Sequence, residues 1–253
     1  KKNHGVEINF NTCTYDDPNV FKLISTGNTE GIFQIESAGF QKFMKELQPT
    51  CIEDIVAAVS LYRPGPMDSI PRYVHNKHNP EDTSYDHPIL EPILRVTYGC
   101  IVYQEQVMKI CQEMAGFTLG QADMIRRAMG KKKLDVMAKE REIFIHGLKD
   151  ENGNYIIDGA VRRGIDEASA NKIFDEMAEF AKYAFNKSHA AAYAVVSYRT
   201  AYLKAYYPEE LMAATLNSYL GNLDKIPLYI DECRRMNIDI LKPDINESNT
   251  RFT

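Results

Sequence analysis

Apolar positions along this chain recur mostly every third or fourth residue, the spacing of helices that bury one face. Phe40, Phe43, Met44 and Leu47 share such a face between Ser37 and Leu47. Ile55, Val56, Val59 and Leu61 share another between Ile52 and Tyr62. The punctuation agrees with the period. Asp16 or Asp17 ahead of Pro18 reads as a helix cap with proline in the first turn, opening a helix to about Ser25. The helix from Ile52 must stop before Pro64, and Arg63-Pro-Gly-Pro makes a rigid turn with Pro66 placed to start the next helix. Further helices are predicted over Gln104 to Ala115, Gly120 to Met129, Leu134 to Leu148, Asp166 to Tyr183, Lys187 to Tyr206, Pro208 to Tyr219 and Leu223 to Met236. Strand character is confined to Gly31 to Ile35, Ile101 to Tyr103, Tyr155 to Ile157 and Asp239 to Leu241. Tyr73 to His87 is polar and reads as a loop. The expected fold is mainly α, irregular and multi-helical, with a few short strands.

Composition narrows the class without naming a function. At 253 residues there is room for one large domain or two smaller ones. Apolar residues at 44% and charged residues at 26% fit an ordinary globular chain. The longest apolar stretch, Ala190 to Val196, is far too short to span a bilayer, and no signal-peptide pattern opens the chain, so no membrane partner is expected. Five scattered cysteines, Cys13, Cys51, Cys100, Cys111 and Cys233, form no Cys-x-x-Cys; reduced thiols in a cytoplasm are expected rather than disulfides or zinc. The chain opens Lys-Lys-Asn-His and closes on Asn249-Thr-Arg-Phe-Thr, which reads as a piece of a longer polypeptide.

Charge singles out one place. Acids outnumber bases, 35 to 30, yet the run Ala122 to Lys133 sets Arg126, Arg127, Lys131, Lys132 and Lys133 close together with no acid between them. A helix ending in two arginines and passing through Gly130 into three lysines can surround a polyanion, with phosphate the obvious candidate. By itself the run also reads as a solvated helix end, where each cation favours the macrodipole by about 0.3–1 kcal/mol. A second stretch runs from Tyr183 to Tyr193. Asn186 or Ser188 can cap the helix that follows, Lys187 lies at its opening, and His189 and Tyr193 fall four apart on one face. Amides and cations there suit phosphate and rings suit a base, although a packed core helix uses the same residues. Tyr198, Arg199, Tyr202 and Lys204 continue the mixture, with ordinary packing and solvated heads expected. His75, His78 and His87 read as surface histidines.

Reaction centres are not visible. Two-metal phosphoryl transfer needs clustered carboxylates, and there is no Asp-x-Asp. Phosphate-loop, nucleophile-elbow and His-Glu-x-x-His patterns are also absent.

Taken in order, several phrases resemble one family: the alpha subunit of bacterial DNA polymerase III, the C-family replicative polymerases of the DnaE type. They are Gly31-Ile-Phe-Gln-Ile-Glu-Ser37, Leu61-Tyr-Arg-Pro-Gly-Pro-Met67, Thr97 to Met108, Ala122 to Lys133, Phe185-Asn-Lys-Ser-His-Ala-Ala-Ala-Tyr193 and Pro243-Asp-Ile-Asn246. The resemblance implies a fingers domain cut from a larger multidomain polymerase. Residues 1–35 would be an opening segment near the palm, 36–217 the helical fingers core, and 218–253 a C-terminal helical and short-strand subdomain leading toward a helix-hairpin-helix region. It also implies that the catalytic aspartates and their Mg²⁺ belong to the palm, so no catalytic or metal residue is assigned here. Arg126, Arg127, Lys131, Asn186, Lys187, His189 and Tyr193 are expected to meet the incoming dNTP. Lys132, Lys133 and Arg63 are expected to meet primer-template DNA, and Asp123 stands at the right spacing to hold one of the two arginines. Sliding clamp, proofreading exonuclease and clamp loader are implied partners of the full protein. Gln34, Glu36, Gln104 and Glu105 match the pattern without a role that the sequence supplies. A non-catalytic nucleic-acid-binding helical module and a structural helical adaptor are the alternative readings.

Overall fold

The computed structural model describes residues 4–130, 134–181, 183, 185–222, 224–248 and 250–253. Among them the helices are α1 (Pro18–Ser25), α2 (Ala38–Leu47), α3 (Ile52–Leu61), α4 (Ile70–His78), α5 (Glu91–Leu94), α6 (Gln104–Ala115), α7 (Leu119–Gly130), α8 (Leu134–His146), α9 (Glu167–Ala181), α10 (Lys187–Tyr206), α11 (Pro208–Ser218) and α12 (Ile226–Arg235). One antiparallel pair, β1 (Leu148–Lys149) and β2 (Tyr155–Ile157), is the only sheet among the described residues. The mainly α expectation holds. Asp17 caps α1 as predicted, its carboxylate accepting from the Asn19 amide at 2.8 Å.

Contacts gather the chain into two compact units: Lys1–Val59 with Ala191–Thr253, and Ser60–Ala190. These boundaries do not coincide with the sequence divisions at 35 and 217. In the first unit α1 packs on α2, burying Val20, Phe21 and Ile24 with Phe40, Phe43, Met44 and Leu47. There too α11 packs on α12 around Met212, Leu216, Tyr229 and Cys233. The second unit is built on α6, α7, α8 and α9, whose apolar stripes meet at Val107, Ile110, Met114, Ile125, Met129, Phe144, Ile173, Phe174 and Met177. Each such side chain contributes about 1.5–3 kcal/mol of burial. All five cysteines are unbridged, and burial pushes the Cys111 thiol up to about 12.

Four expectations need correction. Gly31 to Ile35 is a succession of turns, not a strand: the Ile32 amide donates to the Thr29 carbonyl at 3.0 Å, and Gln34 takes a positive φ of 69°. Ile32 and Ile35, three apart, are both buried while Phe33 is not, so the β-branched run serves a turn. Residues 73–78 are helical in α4, because Tyr73 and Asn76 bury one face and Asn76 Nδ2 donates to the Tyr98 carbonyl at 2.8 Å. Asp239 to Leu241 does alternate, Ile240 partly buried and its neighbours exposed, but no described segment supplies a partner strand. Lys204 is the largest departure. Its head is buried, and Nζ donates to Asn28 and Glu30 carbonyls at 2.9 and 2.7 Å and to Glu232 Oε1 at 2.7 Å.

Candidate functional site

The basic run begins on α7, which exists because Ala122, Ile125 and Met129 form a buried stripe against α6 and α9. Arg126 and Arg127 flank that stripe. Adjacent helical side chains diverge by about 100°, yet both guanidiniums return to Asp123 one turn earlier. Arg126 donates through Nε and Nη2 to Asp123 Oδ1 at 3.0 and 2.6 Å, and Arg127 Nε lies 2.7 Å from Oδ2. The carboxylate therefore orients both cations, where its spacing alone suggested one. Hydrogen bonds from Arg126, the largest influence, hold its carboxyl below the usual aspartate range. The stabilisation is present above the unfolded pKa of about 3.9 and fades as pH falls through the depressed folded value. At neutral pH the Asp123 carboxylate is therefore ionised. Arg126 is largely shielded, 18% exposed, whereas Arg127 is 67% exposed.

The end of α7 lies close to the end of α9. A side chain at Gly130 would lie 3.4 Å from the carbonyl of Ala181, the last residue of α9. Lys131, Lys132 and Lys133 lie outside the described residues. From Ala181 the chain runs to Phe185, which pairs in parallel with Tyr103 while the Gln104 amide donates to its carbonyl at 3.0 Å. Arg63 grips this segment from the other side. Its Nη2 donates to the Tyr183 carbonyl at 3.0 Å, its Nε to the Ser60 carbonyl at 3.1 Å, and its guanidinium covers the Phe185 ring at 3.9 Å. Burial lowers the Arg63 pKa from the ordinary arginine value.

Gly65 completes the grip. Its φ is +102°, and a Cβ there would sit 2.5 Å from the Tyr183 ring. Gly65→Ala should therefore combine backbone strain with a clash, costing about 1–3 kcal/mol. Hydrogen exchange at residues 183–189 is the check: faster exchange there is expected, and unchanged exchange contradicts the packing.

At the start of α10, Asn186 is the cap, its Oδ1 accepting from the His189 amide at 2.9 Å. The helix end is not open, however. Glu105, from the first turn of α6, accepts the Lys187 amide at 3.2 and 3.1 Å through its two oxygens and Asn186 Nδ2 at 3.0 Å. The Lys187 ammonium lies over the Tyr103 ring at 5.2 Å, and His189 meets the Phe185 ring edge at 5.3 Å. Of the residues predicted from sequence, Arg63, Asn186, Lys187 and His189 thus gather about Phe185, and Arg126 and Arg127 gather on Asp123. Tyr193 belongs to the first unit, where its ring meets the 40% exposed Phe33 at 5.2 Å. Glu105, Tyr103 and Phe185 were not predicted as site residues. Their partners are some eighty positions away, Glu105 to Asn186 spanning 81, and no local pattern links them.

No grouping of three or more His, Cys, Asp or Glu among the described residues could hold a metal ion. Two clefts of about 480 and 590 Å³ lie in the first unit, around Phe21 and Gln48 and around Thr12 and Tyr202, and neither involves these cations. No helix among the described residues is long and apolar enough to cross a membrane.

The described residues thus carry two groupings, an arginine pair held on Asp123 and, about Phe185, a turn bearing Lys187 and His189 against Arg63. Residues 1–152 match the family described as the bacterial DNA polymerase III alpha subunit finger domain, and the chain belongs to that family. It is 47% identical over 257 residues to the DNA polymerase III subunit alpha of Thermus aquaticus, covering 100% of this chain and 20% of that protein. The subunit of the same name from Chlamydia trachomatis serovar D is 48% identical, covering 99% of this chain and 19% of its own. That of Pasteurella multocida is also 48% identical, over 97% and 21% respectively. The chain spans about a fifth of the length of these relatives.

Proposed function

We propose that this chain is the part of a bacterial replicative DNA polymerase that meets the triphosphate of the incoming dNTP and the adjacent template-primer. The observation that carries the reading is the arginine pair on Asp123: two guanidiniums held in advance by one carboxylate on a helix anchored by a buried stripe. In the reaction of such an enzyme the primer 3′ hydroxyl attacks the α-phosphorus of dNTP and pyrophosphate leaves. Charge grows on the leaving group, and a donor fixed beforehand against it can supply roughly 3–4 kcal/mol of barrier reduction. Arg126 and Arg127 take that role, joined by Lys131, which follows them in the sequence, and with Lys187 and His189 meeting the nucleotide through their side chains. Tyr193 offers a ring to the nascent base pair.

The described residues do not fit a divalent cation, because Asp123 is committed to two arginines and no carboxylate cluster stands near it. On this reading Mg²⁺ and the carboxylates that hold it belong to another part of the full-length polymerase, and the chain alone is expected to incorporate no nucleotide. Sliding clamp, proofreading exonuclease and clamp loader, the partners of a cytoplasmic replicase, would be engaged by other segments. Arg63 supports the site from within, its Nη2 and Nε donating to the Tyr183 and Ser60 carbonyls, and it stands with the lysines as a proposed DNA contact.

Lys132 and Lys133 are the other proposed DNA contacts. Replacing Lys131, Lys132 and Lys133 together by alanine in the full-length polymerase should flatten the salt dependence of primer-template binding. The log–log slope should fall by about one unit for each phosphate that is no longer neutralised. A slope unchanged from the parent contradicts the DNA assignment.

A further inference from the structure

Glu105 joins two stretches that the sequence could not connect, and its placement has a mechanistic consequence. The first amides of a helix lack partners within it and form an anion site reinforced by the macrodipole. At α10 that site is already filled from within the protein. Both oxygens of Glu105 accept from the Lys187 amide, and one also accepts from Asn186 Nδ2, while Asn186 itself accepts from the His189 amide. A carboxylate thus stands where a phosphate would otherwise be drawn.

Glu105 is itself fixed. The next residue, Gln106, is buried with its whole amide in use: Oε1 accepts from the Val102 and Tyr103 amides at 2.8 and 3.0 Å, and Nε2 donates to Thr97 Oγ1 and the Ile93 carbonyl at 2.7 and 3.2 Å. The Gln104 amide is tied to Phe185. The turn at 185–189 is therefore held by Glu105 on one side, and on the other by Arg63 stacked on Phe185, whose edge meets His189.

We infer that Glu105 is a positioning residue for nucleotide binding: it satisfies the opening of α10 so that the dNTP meets the side chains of Lys187 and His189 and not the main-chain amides. This rests on the reading of that turn given under Proposed function. It carries an opposite consequence from a simple phosphate site. Were the triphosphate to bind the α10 amides, Glu105 would compete with it, and its removal would tighten binding.

The test uses single-nucleotide incorporation by the full-length polymerase, with primer-template affinity and thermal unfolding measured alongside. Glu105→Ala is expected to raise KM for dNTP about tenfold or more with primer-template affinity unchanged. Glu105→Gln, which keeps the shape and an acceptor for the Lys187 amide, is expected to recover KM to within about threefold of the parent. If Glu105→Ala shifts only the unfolding temperature, or lowers KM, while Lys187→Ala raises KM, the positioning role is overturned. If Lys187→Ala and His189→Ala also leave KM unchanged, the nucleotide assignment of the turn falls, and this inference falls with it. Should the alanine variant fail to fold, Glu105→Asp, whose carboxylate is one methylene short of the Lys187 amide, is expected to raise KM for dNTP by at least about threefold, and a parent-like KM overturns the role.

Discussion

Replacing Arg126 or Arg127 by alanine in the full-length polymerase is expected to lower kcat/KM for dNTP by about tenfold or more, ~1.4 kcal/mol or above, with little change in primer-template affinity. Replacing both is expected to exceed about a hundredfold. The two losses should not be equal. Arg126 gives Asp123 two hydrogen bonds and is largely shielded, whereas Arg127 approaches through one nitrogen from an exposed position. Removing Arg126 therefore also leaves a negative charge poorly compensated beside the proposed triphosphate, and its loss should be the larger. Steady-state incorporation of a single nucleotide, with primer-template binding followed separately, makes the comparison. Parent-like kinetics in the double variant contradict the triphosphate role.

The second large effect concerns stability. Lys204→Met should destabilise the packing of α12 by about 3 kcal/mol, the low end of what breaking a buried ion pair costs. It strands Glu232, which is 2% exposed, and leaves the Asn28 and Glu30 carbonyls without their donor. Arg235 remains 3.1 Å from Glu232 Oε2 and tempers the loss. Lys204→Met with Glu232→Leu should recover most of it, since an apolar pair of similar volume often matches a buried salt bridge. Hydrogen exchange of the α12 amides in the full-length protein reads this directly. About two orders of magnitude faster exchange is expected for the single variant and near-parent exchange for the double. Equal protection in all three would show that the pair contributes nothing.

Lys204 also marks where sequence reading stops. Helix periods and caps are local properties, so α1, α6 and α10 were legible to within a residue or two, and so was the arginine run. A lysine following Tyr198, Arg199 and Tyr202 carries no sign that its head will be buried, because the acceptors come from residues 28, 30 and 232. The same holds at Glu105, whose partner lies 81 positions on. Gly31 to Ile35 misled for a different reason: a β-branched run suits both a strand and a set of turns that buries Ile32 and Ile35, and only the Thr29 and Gln34 backbone decides between them. Asp123 was half legible. Its spacing to both arginines is visible in the sequence, but that both would turn back to it depends on side-chain rotamers that a linear pattern does not carry.

The central claim is that the guanidinium pair on Asp123 faces a nucleotide held by the rest of the polymerase. A structure of the full-length enzyme with primer-template and an unreactive dNTP tests it most directly. The account predicts nitrogens of Arg126 and Arg127 at about 2.7–3.2 Å from phosphate oxygens, with Asp123 still holding both side chains. Finding the pair turned to bulk solvent, remote from the bound triphosphate, would contradict it.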